Sequence, residues 1–302
     1  MVTLESLCPL RPFMERVRDA ILVAAGLGTR MFPVSALQPK ETLPLVDVPL
    51  LTHLVMEAKA ANIERLHVVL SPTKSLDGFF ADQSDLAAYR DDIDATLFNI
   101  AEGLELQTHI QLEPKGVGNA IEAALDAING PMLIMLGDNL LMDVHAPTTA
   151  YQASKASRHL VDAYHKNGGP TVALMEVEPE EVVHYGIVDL DGTRISAIVE
   201  KPSLSSAPSR YALCGRYVFP ATTQTLLQTY SYALHGDLQT IALQEHWMNE
   251  GILHGFVLEE TQWYDSGSPI LWLQAQIDHA LRRPDLSEAM VAWLQRRLNH
   301  QR

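Results

Sequence analysis

The residues of this sequence best suited to chemistry begin at Ala25-Gly26-Leu27-Gly28-Thr29-Arg30, directly after an apolar run. Glycines at such a turn let backbone N–H groups approach phosphate oxygens closely. After nine further residues comes Lys40, preceded by Pro39. A turn that supplies backbone donors, together with an Arg and a Lys, makes a cradle for a triphosphate. Other readings compete. A dinucleotide fingerprint wants a third Gly where Met31 stands, and the chain offers no His–Asp pair suited to hydride handling. A P-loop wants Gly-Lys-Ser/Thr, which is absent. A tight strand-to-helix turn with solvated cations needs no ligand at all, and the turn by itself leaves that reading open.

The elements that must position these residues follow from periodicity. Short apolar runs at Ala20–Ala25, Leu66–Leu70 and Met132–Leu136 predict buried strands, and Leu104–Gln111 reads as a further strand. Helices are predicted after Pro49, over Asp85–Ile100 and over Ala120–Ile128, with Pro49 at the first helical position. Strand and helix alternate, so the expected fold is α/β: a Rossmann-like mixed, mostly parallel sheet with helices on both faces. Beyond residue 150 a helix over Tyr151–His165 is followed by strands at Thr171–Val177, Gly186–Asp189, Ile195–Glu200 and Ala212–Phe219. Asp191-Gly192 marks a hairpin. A helix over Leu238–Asn249 and a strand over Ile252–Leu258 precede a helical tail from Ile270. No Ser/Gly/Pro-rich linker divides the chain. We read residues 1–302 as one domain, with a core over 18–267, an extra β lobe over 171–267 and C-terminal helices over 268–302.

Composition narrows the function. The formal net charge is −15, from 22 basic and 37 acidic residues, and no basic stripe for nucleic acid is present. An enzyme that binds polyphosphate must then concentrate its few cations locally. No apolar stretch reaches the length of a membrane span, and the N-terminus has Pro and charges where a signal peptide needs an apolar run. The only cysteines, Cys8 and Cys214, make no disulfide framework, so the expected compartment is the cytoplasm. The 12 His residues show no HExxH pattern and no paired Cys–His spacing, so zinc is not expected.

The stretch AAGLGTRMFPVSALQPKETLPLVDVPLL (24–51) resembles the signature of the sugar-1-phosphate nucleotidyltransferases, most of all its bacterial UTP–glucose-1-phosphate uridylyltransferase branch. That family also has nine residues between the Arg and the Lys. The resemblance continues, in the family's order, through EPKGVGNAI (113–121), LGDN (136–139), HYGIVD (184–189), VEKP (199–202), CGRYVF (214–219) and YDSG (264–267).

It implies that Ala25, Gly26, Gly28 and Thr29 wrap the nucleotide phosphates. Arg30 would neutralise the leaving pyrophosphate, and Lys40 would hold the phosphates near the reacting centre. Gln111 and Gly116 would read the base edge. Asp138, part of the nucleotide site, would hold magnesium with Asp265. Gly186 and Glu200 would bind sugar hydroxyls, and Lys201 the sugar phosphate. These types make physical sense. Carboxylates from distant segments repel unless a cation sits between them, and Mg2+ prefers such hard oxygens. An amide offers both donor and acceptor, which suits a pyrimidine edge. Neighbouring strand residues point to opposite faces, so Glu200 and Lys201 need not pair with each other.

Three departures from the branch stand out. Thr42 replaces a Met, the segment before residue 241 is reduced to Gly236-Asp237-Leu238-Gln239-Thr240, and Ser266 replaces a Cys. The last two fall at segments that usually border the sugar pocket. The expected reaction joins a nucleoside triphosphate, UTP first, to a sugar 1-phosphate, glucose 1-phosphate first. Use of dTTP or a purine triphosphate with another hexose or cyclitol phosphate is the alternative. A catalytically silent relative is a further one, against which intact Arg30, Lys40, Asp138 and Asp265 speak. The apolar tail helices are candidates for a homo-oligomer contact.

Overall fold

The computed structural model describes residues 15–231 and 237–299. The N-terminal stretch with Cys8, and Gly236, lie outside the described residues. The first apolar run forms β1 (Asp19–Val23), which leads through the glycine turn to a short ribbon of β2 (Pro44–Leu45) and β3 (Val48–Pro49). Then come β4 (Arg65–Leu70), β5 (Glu105–Ile110) and β6 (Met132–Leu136). They stand in the order β5-β4-β1-β6, each parallel to its neighbours. Their C-terminal ends share one edge of the sheet, so the turns after β1, β5 and β6 deliver Gly26, Gln111 and Asp138 to that edge, where ligands bind in such sheets.

Runs such as Met132–Leu136 are apolar at every position because both faces of the sheet are covered. Leu133 and Met135 join one core with Leu54, Val55 and Leu160, whereas Met132 and Ile134 join another with Ile121, Phe219 and Trp247. Helices Leu50–Ala60 and Ala156–Asn167 supply the first core, Val117–Glu122 and Thr240–Asn249 the second.

Beyond β6 the parallel arrangement gives way to mixed strands. β7 (Asn139–Met142) leaves the main sheet. β8 (Thr171–Glu176), β9 (Gly186–Asp191), β10 (Arg194–Glu200), β11 (Tyr211–Phe219) and β12 (His254–Val257) extend it to nine strands, β5-β4-β1-β6-β11-β8-β12-β10-β9. β11 is antiparallel to β6, β8 and β9, and β10 to β9 and β12, while β8 and β12 are parallel. Mostly parallel therefore describes the first half alone. The reason is the connections: a tight turn, such as that at Gly192 (φ 61°), can join only antiparallel neighbours, whereas parallel ones need a crossover. The expected extra lobe is a continuation of the same sheet.

Local expectations are corrected at three places. Residues 85–100 form 3-10 turns at Ser84–Tyr89 and Ala95–Phe98 in place of a long helix. Asp82 and Asp94 accept from the backbone N–H of Ser84 and Thr96, which competes with helical pairing, and Leu86 and Tyr89 are exposed, so no apolar face rewards a helix. Pro49 ends β3 and caps the following helix from outside, at φ −57° and ψ 141°. The helix expected from Tyr151 begins at Ala156, and its end at Asn167 is set by Gly168 in the left-handed region. The tail forms helices Pro269–Arg282 and Ser287–Asn299, the first capped by the Ser268 hydroxyl. No helix among the described residues is long and apolar enough to cross a membrane.

Candidate active site

The glycine turn rises from the end of β1 at the C-terminal edge of the parallel strands. Gly28 has φ 66° and lies against Lys40: a Cβ there would stand 3.2 Å from Lys40 Cδ and 3.3 Å from Ser35 Cβ. Any side chain would thus meet both a positive φ and a crowded wall. Ala25 has its methyl in the core, so only its backbone is available to a ligand. Gly26, Thr29 and Arg30 are exposed.

Asp138 and Asp265 are brought together by a ribbon outside the main sheet. β7 begins one residue after Asp138, and β13 (Gln262–Asp265) ends at Asp265. Their antiparallel register sets Asp265 opposite Asn139. The Ser266 N–H, at 3.0 Å, and its hydroxyl, at 3.2 Å, both donate to Asp138 O, locking the two turns together. Lys40 Nζ donates to Asp138 Oδ2 at 2.6 Å. A Cβ on Gly267 would fall 2.5 Å from the Arg30 guanidinium and 2.6 Å from Asp265 Oδ1, so that glycine keeps the two side chains close. The electrostatics follow. Burial works to raise the Asp138 carboxyl, but Lys40 beside it, through charge and hydrogen bond, holds it below the ordinary range. Burial raises Asp265, the nearby Asp138 charge adds to this, and the Gly267 N–H, Arg30 and Lys40 oppose it only in part. Two half-buried carboxylates, the charge of one disfavouring that of the other, are a hard-oxygen donor set suited to a divalent cation that also binds phosphate.

Gln111 follows β5. Its amide nitrogen donates to Gly116 O and Asn119 Oδ1, both at 3.0 Å, which leaves the carbonyl oxygen as the acceptor it can offer a ligand. Gly116 has φ 95°, and a Cβ there would collide with the Leu238 carbonyl. Leu238 is tied to this turn through Gly118 N–H to Leu238 O at 2.8 Å and Leu238 N–H to Lys115 O at 2.9 Å. The shortened segment thus packs on the Gln111–Gly116 turn, and Ile241, which follows it, approaches Gly186.

In the second half of the sheet, the β9–β10 register pairs Gly186 with Glu200, and a Cβ on Gly186 would lie 3.0 Å from Glu200 Oε2. The expected opposition of Glu200 and Lys201 is not found. Lys201 has φ 45°, its N–H donates to Tyr185 O, and Lys201 Nζ lies 3.6 Å from Glu200 Oε1. Strand alternation fails because the left-handed residue has already left the strand. The structure thus forms three groups: Arg30–Lys40–Asp138–Asp265, Gln111–Gly116 and Gly186–Glu200–Lys201. Tyr185 links the first and third. Its ring lies 4.5 Å from that of Trp263 on β13, and burial, then the Asp265 charge, pushes its hydroxyl up to about 12.

Sequence reasoning missed the residues behind these groups. Arg216, fully buried on β11, pairs with Glu57 through two hydrogen bonds of 3.0 and 2.9 Å. It also donates to Leu136 O and Asn139 O, on either side of Asp138. Ser157 donates to Glu57 Oε1 at 2.5 Å. Asn139 donates to Asp138 Oδ1 and accepts from the Trp263 indole. Lys74 and Glu41 form a further buried pair beside the glycine turn. The available signal was a charged residue within an otherwise apolar strand or helix face, as at Arg216 and Glu57.

Comparison with known proteins places this geometry. Residues 19–280 match the nucleotidyl transferase family. The UTP–glucose-1-phosphate uridylyltransferase YngB of Bacillus subtilis is 32% identical over 294 residues, covering 93% of this chain and 95% of that one. A UTP–glucose-1-phosphate uridylyltransferase of Staphylococcus epidermidis is 29% identical, over 93% of this chain and 98% of its own. Among solved structures, a UDP-glucose pyrophosphorylase from Acinetobacter baumannii superposes with a TM-score of 0.79 at 25% identity, covering 93% of this chain and 99% of that one. A UDP-glucose pyrophosphorylase complexed with UDP-glucose gives 0.74 at 27% identity, over 87% and 98%. With most of its length matched, the chain belongs to the nucleotidyl transferase family.

Proposed function

We propose that this enzyme joins UTP and glucose 1-phosphate to give UDP-glucose and pyrophosphate. The observation that carries the reading is the meeting of Asp138 and Asp265 across the β7–β13 ribbon, with Lys40 and Arg30 beside them at the glycine turn. Relatives at about 30% identity carry the same activity in their names.

A phosphate oxygen of the sugar 1-phosphate attacks the α-phosphorus of the triphosphate. The bond from that phosphorus to the bridging oxygen breaks, and pyrophosphate leaves. The nucleophile is already an anion, so no general base is required. The work is to bring two polyanions together, and positioning and electrostatics supply it. The turn from Ala25 to Thr29 binds the nucleotide phosphates. Arg30 neutralises the leaving pyrophosphate. Lys40 holds the phosphates near the reacting centre when it exchanges part of its contact with Asp138 for substrate. Mg2+, held by Asp138 and Asp265, would supply charge neutralisation and alignment of the phosphate oxygens.

Gln111, with its amide nitrogen already engaged, presents an oxygen to the N3–H of uracil, with the Gly116 backbone alongside. Thymine shares that donor and differs by one methyl, worth about 1–3 kcal/mol, so some use of dTTP belongs to the reading. Gly186 and Glu200 take the sugar hydroxyls and Lys201 the sugar phosphate. Its triphosphate substrate fits a cytoplasmic enzyme. Ile270, Leu273, Trp293 and Leu298, exposed on the tail helices, would carry a homo-oligomer contact.

The test is pyrophosphate release over a matrix of five triphosphates and several sugar 1-phosphates, scored by kcat/KM. UTP with glucose 1-phosphate should lead. A purine triphosphate in the lead removes the role of Gln111, another sugar in the lead removes the acceptor, and no release from any pair removes the activity.

A further inference from the structure

Lys74 stands outside every motif singled out in the sequence, in the turn after β4. Its ammonium donates to Ala24 O at 2.8 Å, to Gly26 O at 2.6 Å and to the two oxygens of Glu41 at 3.2 and 3.0 Å. The Lys74 side chain is 7% exposed and that of Glu41 1%. An ammonium has three N–H donors, and two carbonyls and a carboxylate use all of them, so none remains for a substrate phosphate.

The geometry of the peptide unit turns this into a statement about the phosphate site. In a planar trans peptide the carbonyl and the following N–H point in opposite directions. Drawing the carbonyls of Ala24 and Gly26 onto one cation therefore turns the N–H groups of Ala25 and Leu27 the other way. Among the described residues, the backbone N–H groups of Ala25 through Gly28 donate to no backbone acceptor. Successive unpaired N–H groups of this kind form an anion-binding concavity. The same ammonium ties the turn to Glu41, whose chain neighbour Lys40 reaches Asp138. Burial lowers Lys74 and raises Glu41 from their ordinary values, with each group's charge opposing the other's shift.

Building on the proposed function, we infer that Lys74 is a positioning residue for the triphosphate: it presets the outward-facing donors of the Ala25–Gly28 turn without touching the nucleotide. The rival account is that Lys74 only neutralises buried Glu41. Two variants separate them. Lys74→Arg keeps the charge next to Glu41 but replaces the compact ammonium with a planar fork that cannot sit on both carbonyls in the same way. Lys74→Met/Glu41→Met removes both charges and leaves no carboxylate buried alone.

Affinity for UTP with Mg2+ is measured by calorimetry, alongside KM for glucose 1-phosphate, kcat and the thermal midpoint. Both variants should bind UTP at least tenfold more weakly, with KM for the sugar phosphate within twofold of wild type. Wild-type UTP affinity in the double variant would show simple neutralisation and overturn the inference, as would unchanged affinity in Lys74→Arg. If neither variant folds, Lys74 is a determinant of the fold, and the inference is likewise overturned. If only one folds, its UTP affinity decides. Failure of the wild type itself to bind any triphosphate would bring down the function reading, and this inference with it.

Discussion

The two sides of the candidate site are held in opposite ways. On the phosphate side, Asp138 is engaged by Lys40, Asn139 and Ser266, while Arg216 grips the backbone on both flanks. On the acceptor side, Glu200 and Lys201 are 55% and 63% exposed and meet each other at 3.6 Å. An exposed pair of that kind is worth about 0–1 kcal/mol, whereas breaking a buried one costs about 3–5 kcal/mol. On the roles proposed above, the phosphate side is organised before substrate arrives, and the acceptor side is free to be ordered by the sugar phosphate.

The comparison can be broken most forcefully at Arg216. Replacing it with Met leaves Glu57 buried without its partner and should cost about 3–5 kcal/mol of stability in urea unfolding. Lys201→Met, the matching change on the open side, should cost under about 1 kcal/mol. Equal losses would erase the distinction. Next in size is turnover. Asp138→Asn and Asp265→Asn should each lower kcat at least ~100-fold, as loss of a transition-state electrostatic element commonly does. Wild-type enzyme should be silent in excess chelator and recover on addition of Mg2+; full activity under chelation removes the metal from the reading.

Substrate affinity sharpens the comparison further. Lys201→Ala should weaken glucose 1-phosphate about tenfold and leave UTP alone, since a hydrogen bond to a charged group contributes about 1.5–3 kcal/mol. Lys40→Ala should do the reverse. Titration of each variant with each ligand tells the two apart, and an unchanged sugar-phosphate affinity in Lys201→Ala defeats its assignment.

The smallest effect concerns acid. His53 is buried beside Tyr151 and His279, where burial, then the charges of His279, Arg283 and His145, lowers it to about 3. The fold keeps it neutral while the unfolded chain protonates below the usual 6.5. Its contribution is thus fully present above that value and is lost as pH falls from about 6.5 toward about 3. At pH 5.5 the loss from this one group is about 1.4 kcal/mol. His53→Leu should lose that much less stability than wild type between pH 7.5 and 5.5; an identical slope in the variant would assign the acid sensitivity elsewhere.

Much of the fold was legible because burial on both sides of a sheet leaves a local mark. The runs that became β1, β4 and β6 are largely apolar and end where the chain turns to the candidate site, whereas β5, at the edge of the sheet, mixes apolar and polar residues. Residues 85–100 were misread as a helix because their side-chain hydrogen bonds, such as Asp94 to Thr96, act on the backbone without altering apolar spacing. The change from parallel to antiparallel at β11 carries no mark either, since a buried strand looks the same in both directions.

The sequence by itself determined the glycine turn after a buried strand, the Arg30 and Lys40 that follow it, and the ordered set of motifs. Those are local matters: chain neighbours must occupy neighbouring space. Only the tertiary structure decided which distant groups meet. Lys40 reaches Asp138 across 98 residues and Arg216 reaches Glu57 across 159, distances over which chain connectivity carries no information. The β7–β13 register chose which carboxylates share a site, and one residue at φ 45° turned Lys201 back onto Glu200. The physical reason is common to all of these. A charge removed from water must find its partner in space, and where that partner stands is settled only when strands from both ends of the chain have packed.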